Sequence, residues 1–134
     1  MITPDKITSL EPNEIFVFGS NLSGAHGAGA ARTALQWGAV LGQGVGSNGQ
    51  TYAIPTKNAD ISATLSLEEI KPYVDGLIQY AKQNTNKVFL VTEIGCGLAG
   101  LTPEQVAPLF EQAALVSNIY LPKRFWDELF KNNF

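Results

Sequence analysis

The sequence predicts an α/β fold with a mostly parallel central sheet and helices on both of its faces. Three features carry that expectation. Apolar runs of strand length alternate along the chain with stretches whose apolar residues recur at helical spacing. "KVFLVTE" is nearly all apolar at its centre, as strands covered on both faces are. Glycine-rich turns stand where strands should hand over to helices.

The elements follow in order. Glu14–Gly19, "EIFVFG", reads as a buried strand ended by Gly-Ser-Asn. "SNLSGAHGAGAA" leads into the Ala-rich "ARTALQW", expected to be helical to about Gly38. Residues 38–50 hold Gly38, Gly42, Gly44, Gly46 and Gly49, which suggests a mobile loop or an irregular hairpin. "TYAIPTK", residues 51–57, is a second strand with Pro55 near its end.

"SLEEIKPYVDGLIQYAKQN" places Leu67, Ile70, Val74, Leu77, Ile78 and Ala81 on one helical face. Ser66 and Glu69 form a capping box, and Pro72 predicts a kink or a detached first turn. "KVFLVTE" is the next strand. Thr102, Pro103 and Gln105 then start a helix expected to run to roughly Val116. "NIYLP" is a last strand and "PKRFWDELFKN" a terminal helix with Phe125, Trp126, Leu129 and Phe130 to bury. Phe125 and Trp126 are read as closing the core rather than as a partner surface, and Tyr120 and Trp37 as packing.

Composition narrows the function. The 134 residues are 45% hydrophobic and 16% charged, which fits one domain, residues 1–134, with its own core. A net charge of −3 argues against a general nucleic-acid or membrane binder. It leaves room for a small anion, because backbone N–H groups hold phosphate without a basic surface. The single cysteine, Cys96, forms no internal disulfide and suggests a reducing, cytoplasmic setting. "MITPDKITSLEPNE" lacks the apolar core of a signal peptide, and no apolar run is long enough for a membrane span. One histidine and one cysteine supply too few soft ligands for a metal site, and no cofactor is expected.

In doubly wound sheets ligands sit beyond the carboxyl ends of the strands. The turns after Phe18 and after Ile94 fall there. Gly24, Gly27 and Gly29 precede a helix, whose N-terminus offers free N–H donors. The alternative is a tight strand-to-helix connection without a ligand. His26 reads equally as a phosphate or ribose contact and as a turn residue. Cys96 reads as packing rather than as half of a thiolate pair with His26.

"FVFGSNLSGAHGAGAA" resembles the first ligand-binding loop of macrodomains, and "EIGCGLAGLTPEQVAPLF" resembles their second, phosphate-cradling loop. The second is most similar to the branch of terminal ADP-ribose glycohydrolases and DNA ADP-ribosylglycohydrolases, whose loop reads roughly I-G-C-G-L-D-x-L. "YAIPTKN" resembles that branch's strand ending in Thr-Lys. These segments, in the family's order, cover most of residues 14–122.

The resemblance implies a three-layer α/β/α fold that takes ADP-ribose, a related nucleotide or an ADP-ribosylated macromolecule. It places the ligand against Gly19, Ser20, Asn21, Leu22, Gly24, His26, Gly27 and Gly29 on one side. On the other stand Ile94, Gly95, Cys96, Gly97, Leu98, Ala99 and Gly100. Gly95–Leu98 would wrap the diphosphate, and Asn21 with the Gly24–Gly29 turn would face the distal ribose.

In the hydrolytic branch a lysine attacks the anomeric carbon and a loop aspartate assists. Lys57 matches the lysine, but Ala99 stands at the aspartate's position and transfers no proton. Glu93 and Asp60 are the candidate stand-ins, both outside the motif. Upstream, "PDKI" resembles the segment from which macrodomains read adenine, with Lys6 directly before Ile7 and Asp5 displaced by one residue. The resemblance therefore implies ADP-ribose binding, with hydrolysis by Lys57 if the chain is an enzyme. The alternatives are a non-catalytic binder or sensor of another nucleotide and a protein-interaction module.

Overall fold

The computed structural model describes residues 1–131. Strand β1 (Glu14–Asn21) occupies the centre of a five-stranded sheet of order β2-β3-β1-β4-β5. It pairs in parallel with β3 (Thr51–Lys57), Phe16 opposite Thr51, and with β4 (Val88–Val91), Glu14 opposite Val88. β4 pairs in parallel with β5 (Ile119–Tyr120), while the short β2 (Gly46–Asn48) runs antiparallel to β3. The sheet is thus mixed but mostly parallel. The stretch 38–50 resolves into the irregular hairpin, with β2 as its outer arm.

The alternation along β1 explains how both faces are covered. Ile15 and Val17 point into the larger core, shared with Ile54, Val91 and helix α2 (Leu67–Gln83). Phe16 and Phe18 point the other way, against Ala31 and Ala34 of helix α1 (Gly29–Ala34). Each large side chain buried this way contributes about 1.5–3 kcal/mol. β1 runs two residues past Gly19, because Asn21 still pairs with Lys57 across a register shift after Ser20. Pro55 lies beyond the last β2–β3 pair, Gly46 with Ala53, so no strand on that side needs its missing N–H.

α1 ends in a tighter 3-10 turn, Leu35–Trp37, closed by Gly38 in the left-handed conformation. α2 carries the expected capping box, Ser66 with Glu69. The detached first turn, one of the two outcomes expected at Pro72, is absent: the helix is continuous through the proline. Its buried face of Ile70, Val74, Leu77, Ile78 and Ala81 offsets the roughly 3 kcal/mol that an interior proline costs. The opposite correction applies after Thr102. Helix α3 covers only Pro103–Val106 and gives way to 3-10 turns at Ala107–Phe110 and Gln112–Leu115. Pro108 has no N–H for the carbonyl of Glu104 and crowds it, which stops the α-helix there.

Helix α4 (Lys123–Phe130) buries Phe125 and half-buries Trp126, whose Nε1 donates to the Met1 carbonyl at 2.9 Å. Phe130, expected in the core, is 39% exposed and stacks on Trp126 at 5.5 Å. The end of the expected terminal helix, Asn132, lies outside the described residues. "NIYLP" supplies two strand residues, and Leu121 continues as a bridge to Ile2. No described helix is long and apolar enough to cross a membrane.

Ser66→Ala removes the hydroxyl that accepts from the Glu69 N–H at 3.1 Å. We expect a loss of about 1 kcal/mol of unfolding free energy in urea denaturation.

Candidate functional site

Because β1, β3 and β4 run in the same direction, their carboxyl ends meet along one sheet edge, and a cleft of about 340 Å³ opens there. One wall is the turn after β1. Asn21 shapes it: its Oδ1 accepts from the Ala25 N–H at 2.9 Å and from the Ser23 hydroxyl at 2.8 Å. Behind the turn the chain packs backbone on backbone. Ser20 Oγ donates to the Gly44 carbonyl, and a Cβ on Gly44 would lie 1.9 Å from the Asn21 carbonyl oxygen. Gly24, at φ +70, has equally little room, since a Cβ there would lie 2.3 Å from the Gln43 nitrogen.

His26 completes this wall from behind. It is 1% exposed, sits at φ 47 and meets the Phe18 ring edge-on at 5.4 Å. Its Nε2 lies 3.0 Å from the Gln43 carbonyl, which can only accept, so Nε2 carries the proton. Nδ1 is buried with no hydrogen-bond partner. His26 therefore pins the turn to the 42–44 segment and does not line the cleft.

The opposite wall follows β4. Thr92 Oγ1 donates to the Val17 carbonyl at 2.7 Å and fixes the departure of the chain from the sheet. Gly95 and Gly100 both adopt positive φ, and the Leu101 N–H returns to the Gly95 carbonyl at 2.8 Å to close the loop. The N–H groups of Gly97, Leu98 and Ala99 make no hydrogen bond within the described residues. Thr102 and Gln105 then cap α3.

The structure brings most of the expected residues together. Gly19, Ser20, Asn21, Gly27 and Gly29 line one side of the cleft, and Ile94, Gly95, Gly97, Leu98 and Ala99 the other. Lys57, the last residue of β3, lies between them, half-buried and in no ion pair among the described residues. Five expected residues do not line it: Leu22 faces solvent, Gly24 and His26 lie behind the turn, Gly100 closes the second loop and Cys96 packs on the larger core. Burial and the nearby Glu93 carboxylate push the Cys96 thiol up to about 11, and it donates to the Ile94 carbonyl, so it is no thiolate nucleophile at neutral pH. His26 is engaged with Gln43, and the two form no dyad.

Sequence reasoning missed Thr56, Ile61 and Thr92, which also line the cleft. Thr56 was within reach, as the neighbour of Lys57. Ile61 carried no signal, because "NADIS" has the composition of any loop.

Of the carboxylates weighed against Ala99, Glu93 lines the cleft, but both of its oxygens accept from Arg124 at 2.6 Å. That bidentate bond holds its carboxyl below the usual carboxylate range and makes it a weak base. Asp60 does not line the cleft, and its bonds from Ser62 lower its carboxyl likewise. A second cavity of about 600 Å³ adjoins the first and shares Ala30, Thr92 and Glu93 with it. Asp5, Lys6, Ile7, Phe16 and Arg124 line it. Among the described residues no group of three or more His, Cys, Asp or Glu side chains could hold a metal ion.

No protein-family model matches the chain, and no curated protein does. A solved structure described as that of a protein of unknown function from Bacteroides thetaiotaomicron is similar, with a TM-score of 0.58 and 15% sequence identity. The match covers 90% of this chain and 93% of that chain. At that identity the likeness concerns the fold alone.

Gly44→Ala should loosen the first wall, since its Cβ would collide with backbone rather than with a movable side chain. We expect a loss of about 2–3 kcal/mol in urea denaturation.

Proposed function

We propose that this protein is a macrodomain-like α/β/α domain that binds ADP-ribose or a closely related nucleotide in the cleft. One observation carries the reading. The Gly97–Ala99 loop lines the cleft across from the turn that starts α1, and its three backbone N–H groups make no hydrogen bond within the described residues. Such a row of donors holds an anion without a basic side chain, and a diphosphate is the anion the loop's resemblance implies. The adjoining cavity supports the same reading, because it extends the binding space toward Asp5, Ile7 and Phe16. That is room for the adenosine end of the ligand, with Asp5 within the lining as a candidate adenine contact.

Lys57, as the neutral amine, is the group that would attack the anomeric carbon in hydrolysis, forming a bond to the sugar as the linkage to the leaving group breaks; water would then cleave the lysine–sugar bond, releasing ADP-ribose and restoring the amine. That leaving group would be the macromolecule in an ADP-ribosylated substrate. The leaving group also needs a proton. Ala99 has none to give, Glu93 is engaged with Arg124, and Asp60 stands outside the lining. The cleft therefore supports binding more strongly than turnover. This disparity favours a second reading, a binder or sensor that releases its nucleotide unchanged.

Isothermal titration with ADP-ribose tests the binding claim, and the wild-type chain should give a saturable one-to-one curve. Gly97 offers the control: a Cβ there meets nothing within 4 Å, so Gly97→Glu should fold normally. Its carboxylate would repel the diphosphate and lower affinity at least roughly tenfold. Absence of heat from the folded wild type, or equal affinity of Gly97→Glu, would contradict the proposal.

Hydrolysis is checked separately, by release of ADP-ribose from a modified protein or nucleic acid. If the wild type turns over, Lys57→Ala should abolish release while retaining the fold. Unchanged turnover removes Lys57 from the account.

A further inference from the structure

Of the described residues that line the cleft, two carry charge, Lys57 and Glu93. Glu93 calls for a reason, because a carboxylate beside an anion site opposes the ligand. The rest of the lining is uncharged and screens that carboxylate far less than water would. Its backbone course is fixed. Thr92 is bonded to the Val17 carbonyl, and the Cys96 N–H donates to the Glu93 carbonyl at 3.1 Å. Glu93 is thereby held where the two cavities meet.

Arg124 meets that carboxylate from outside the cleft. It stands at the start of α4 and lines the second cavity but not the first. Its Nε and Nη2 donate to the two Glu93 oxygens, each at 2.6 Å, so two planar groups join fork to fork. The Arg124 side chain is 61% exposed and that of Glu93 35%, and a pair this exposed adds little to folding. Its charges nonetheless reach the second loop. Burial pushes the Cys96 thiol up, the Glu93 carboxylate adds to that, and the Arg124 guanidinium works against it.

We infer that Arg124 is a positioning residue: it holds and neutralises Glu93 at the junction of the cavities, so that an anion can occupy the loop beyond. This inference rests on the nucleotide-binding reading above. Arg124 acts through Glu93 and not by touching the diphosphate. No other described side chain bonds the Glu93 carboxylate. Lys123, beside Arg124 on α4, is bonded to Asp127 at 2.9 Å. Asp5 and Lys6 line the second cavity from the N-terminal segment with opposite charges, and Lys57 lines only the first from β3. Cys96, on the same loop as Glu93, is an uncharged thiol at neutral pH.

The test is isothermal titration of ADP-ribose into wild type, Arg124→Met and the double variant Arg124→Met/Glu93→Gln at low ionic strength. Methionine keeps an unbranched stem and removes the charge, so the Tm should stay near that of the wild type. Arg124→Met should bind roughly tenfold more weakly, because Glu93 then faces the anion unpaired. The double variant should regain wild-type affinity. Without the guanidinium the Glu93 carboxyl returns toward the ordinary glutamate range, so taking Arg124→Met from about pH 7 to about pH 4.5 should restore most of its affinity. The diphosphate is a diester and keeps its charge over that interval. The wild type, which shares Asp5 and keeps Glu93 paired, should show no such gain. Equal affinity of wild type and Arg124→Met overturns this inference alone. So does a loss that the double variant fails to regain or that persists at low pH, since Arg124 then acts on the ligand or the fold rather than through Glu93. A wild type that binds no ADP-ribose overturns both the inference and the reading beneath it.

Discussion

Everything at the cleft depends on β1 running parallel to both of its neighbours. A parallel pair requires each crossover to return the chain to the same starting edge, so each strand delivers its exit loop to the opposite edge. That is why Asn21, Lys57 and the glycine loop after Val91, far apart in sequence, share one cavity. Apolar side chains on both faces of β1 hold the arrangement in place. Val17 and Phe18, adjacent in sequence and both fully buried, serve opposite cores. The position of the site thus follows from the same burial that stabilises the sheet.

Within that frame the site is built of backbone. The first wall exists because Gly24 and Gly44 let two loops approach more closely than any side chain allows, with His26 wedged behind them. The second presents N–H groups that its own turn leaves uncommitted. Such a surface can recognise charge without carrying it, so the net negative charge of the chain is compatible with the anionic ligand proposed. The charged side chains nearby are largely occupied with one another, as Glu93 is with Arg124. Lys57, in no ion pair among the described residues, stands between the two walls.

What could be read from the sequence was the part governed by local or periodic signals. The capping boxes at Ser66 and Thr102 and the alternating strands and helices are of that kind. Proline shows where such signals end. Pro72 and Pro108 each stand five residues past the start of their helices, at 67 and 103, yet one helix continues and the other stops. Val74, Leu77, Ile78 and Ala81 bury beyond Pro72, whereas Phe110 and Ala113 bury equally well from 3-10 turns. At the site, the glycine loops were legible because glycine before a helix has a physical meaning. The burial of His26 depends on Gln43, and the placement of Ile61 in the cleft on the bonds that Asn58 and Asp60 make to Ser62 and Ala63, and neither leaves a trace in local composition.

We propose that the uncommitted N–H groups of Gly97, Leu98 and Ala99 hold a nucleotide diphosphate, with the turn before α1 against the rest of the ligand. Amide chemical shifts of the isotopically labelled protein, recorded while ADP-ribose is added, test it most directly. The account predicts the largest shifts at Gly95–Ala99 and Gly27–Ala30, with Lys57 and Ile61 following. Unmoved amides in both loops, or shifts confined to another part of the surface, would contradict it.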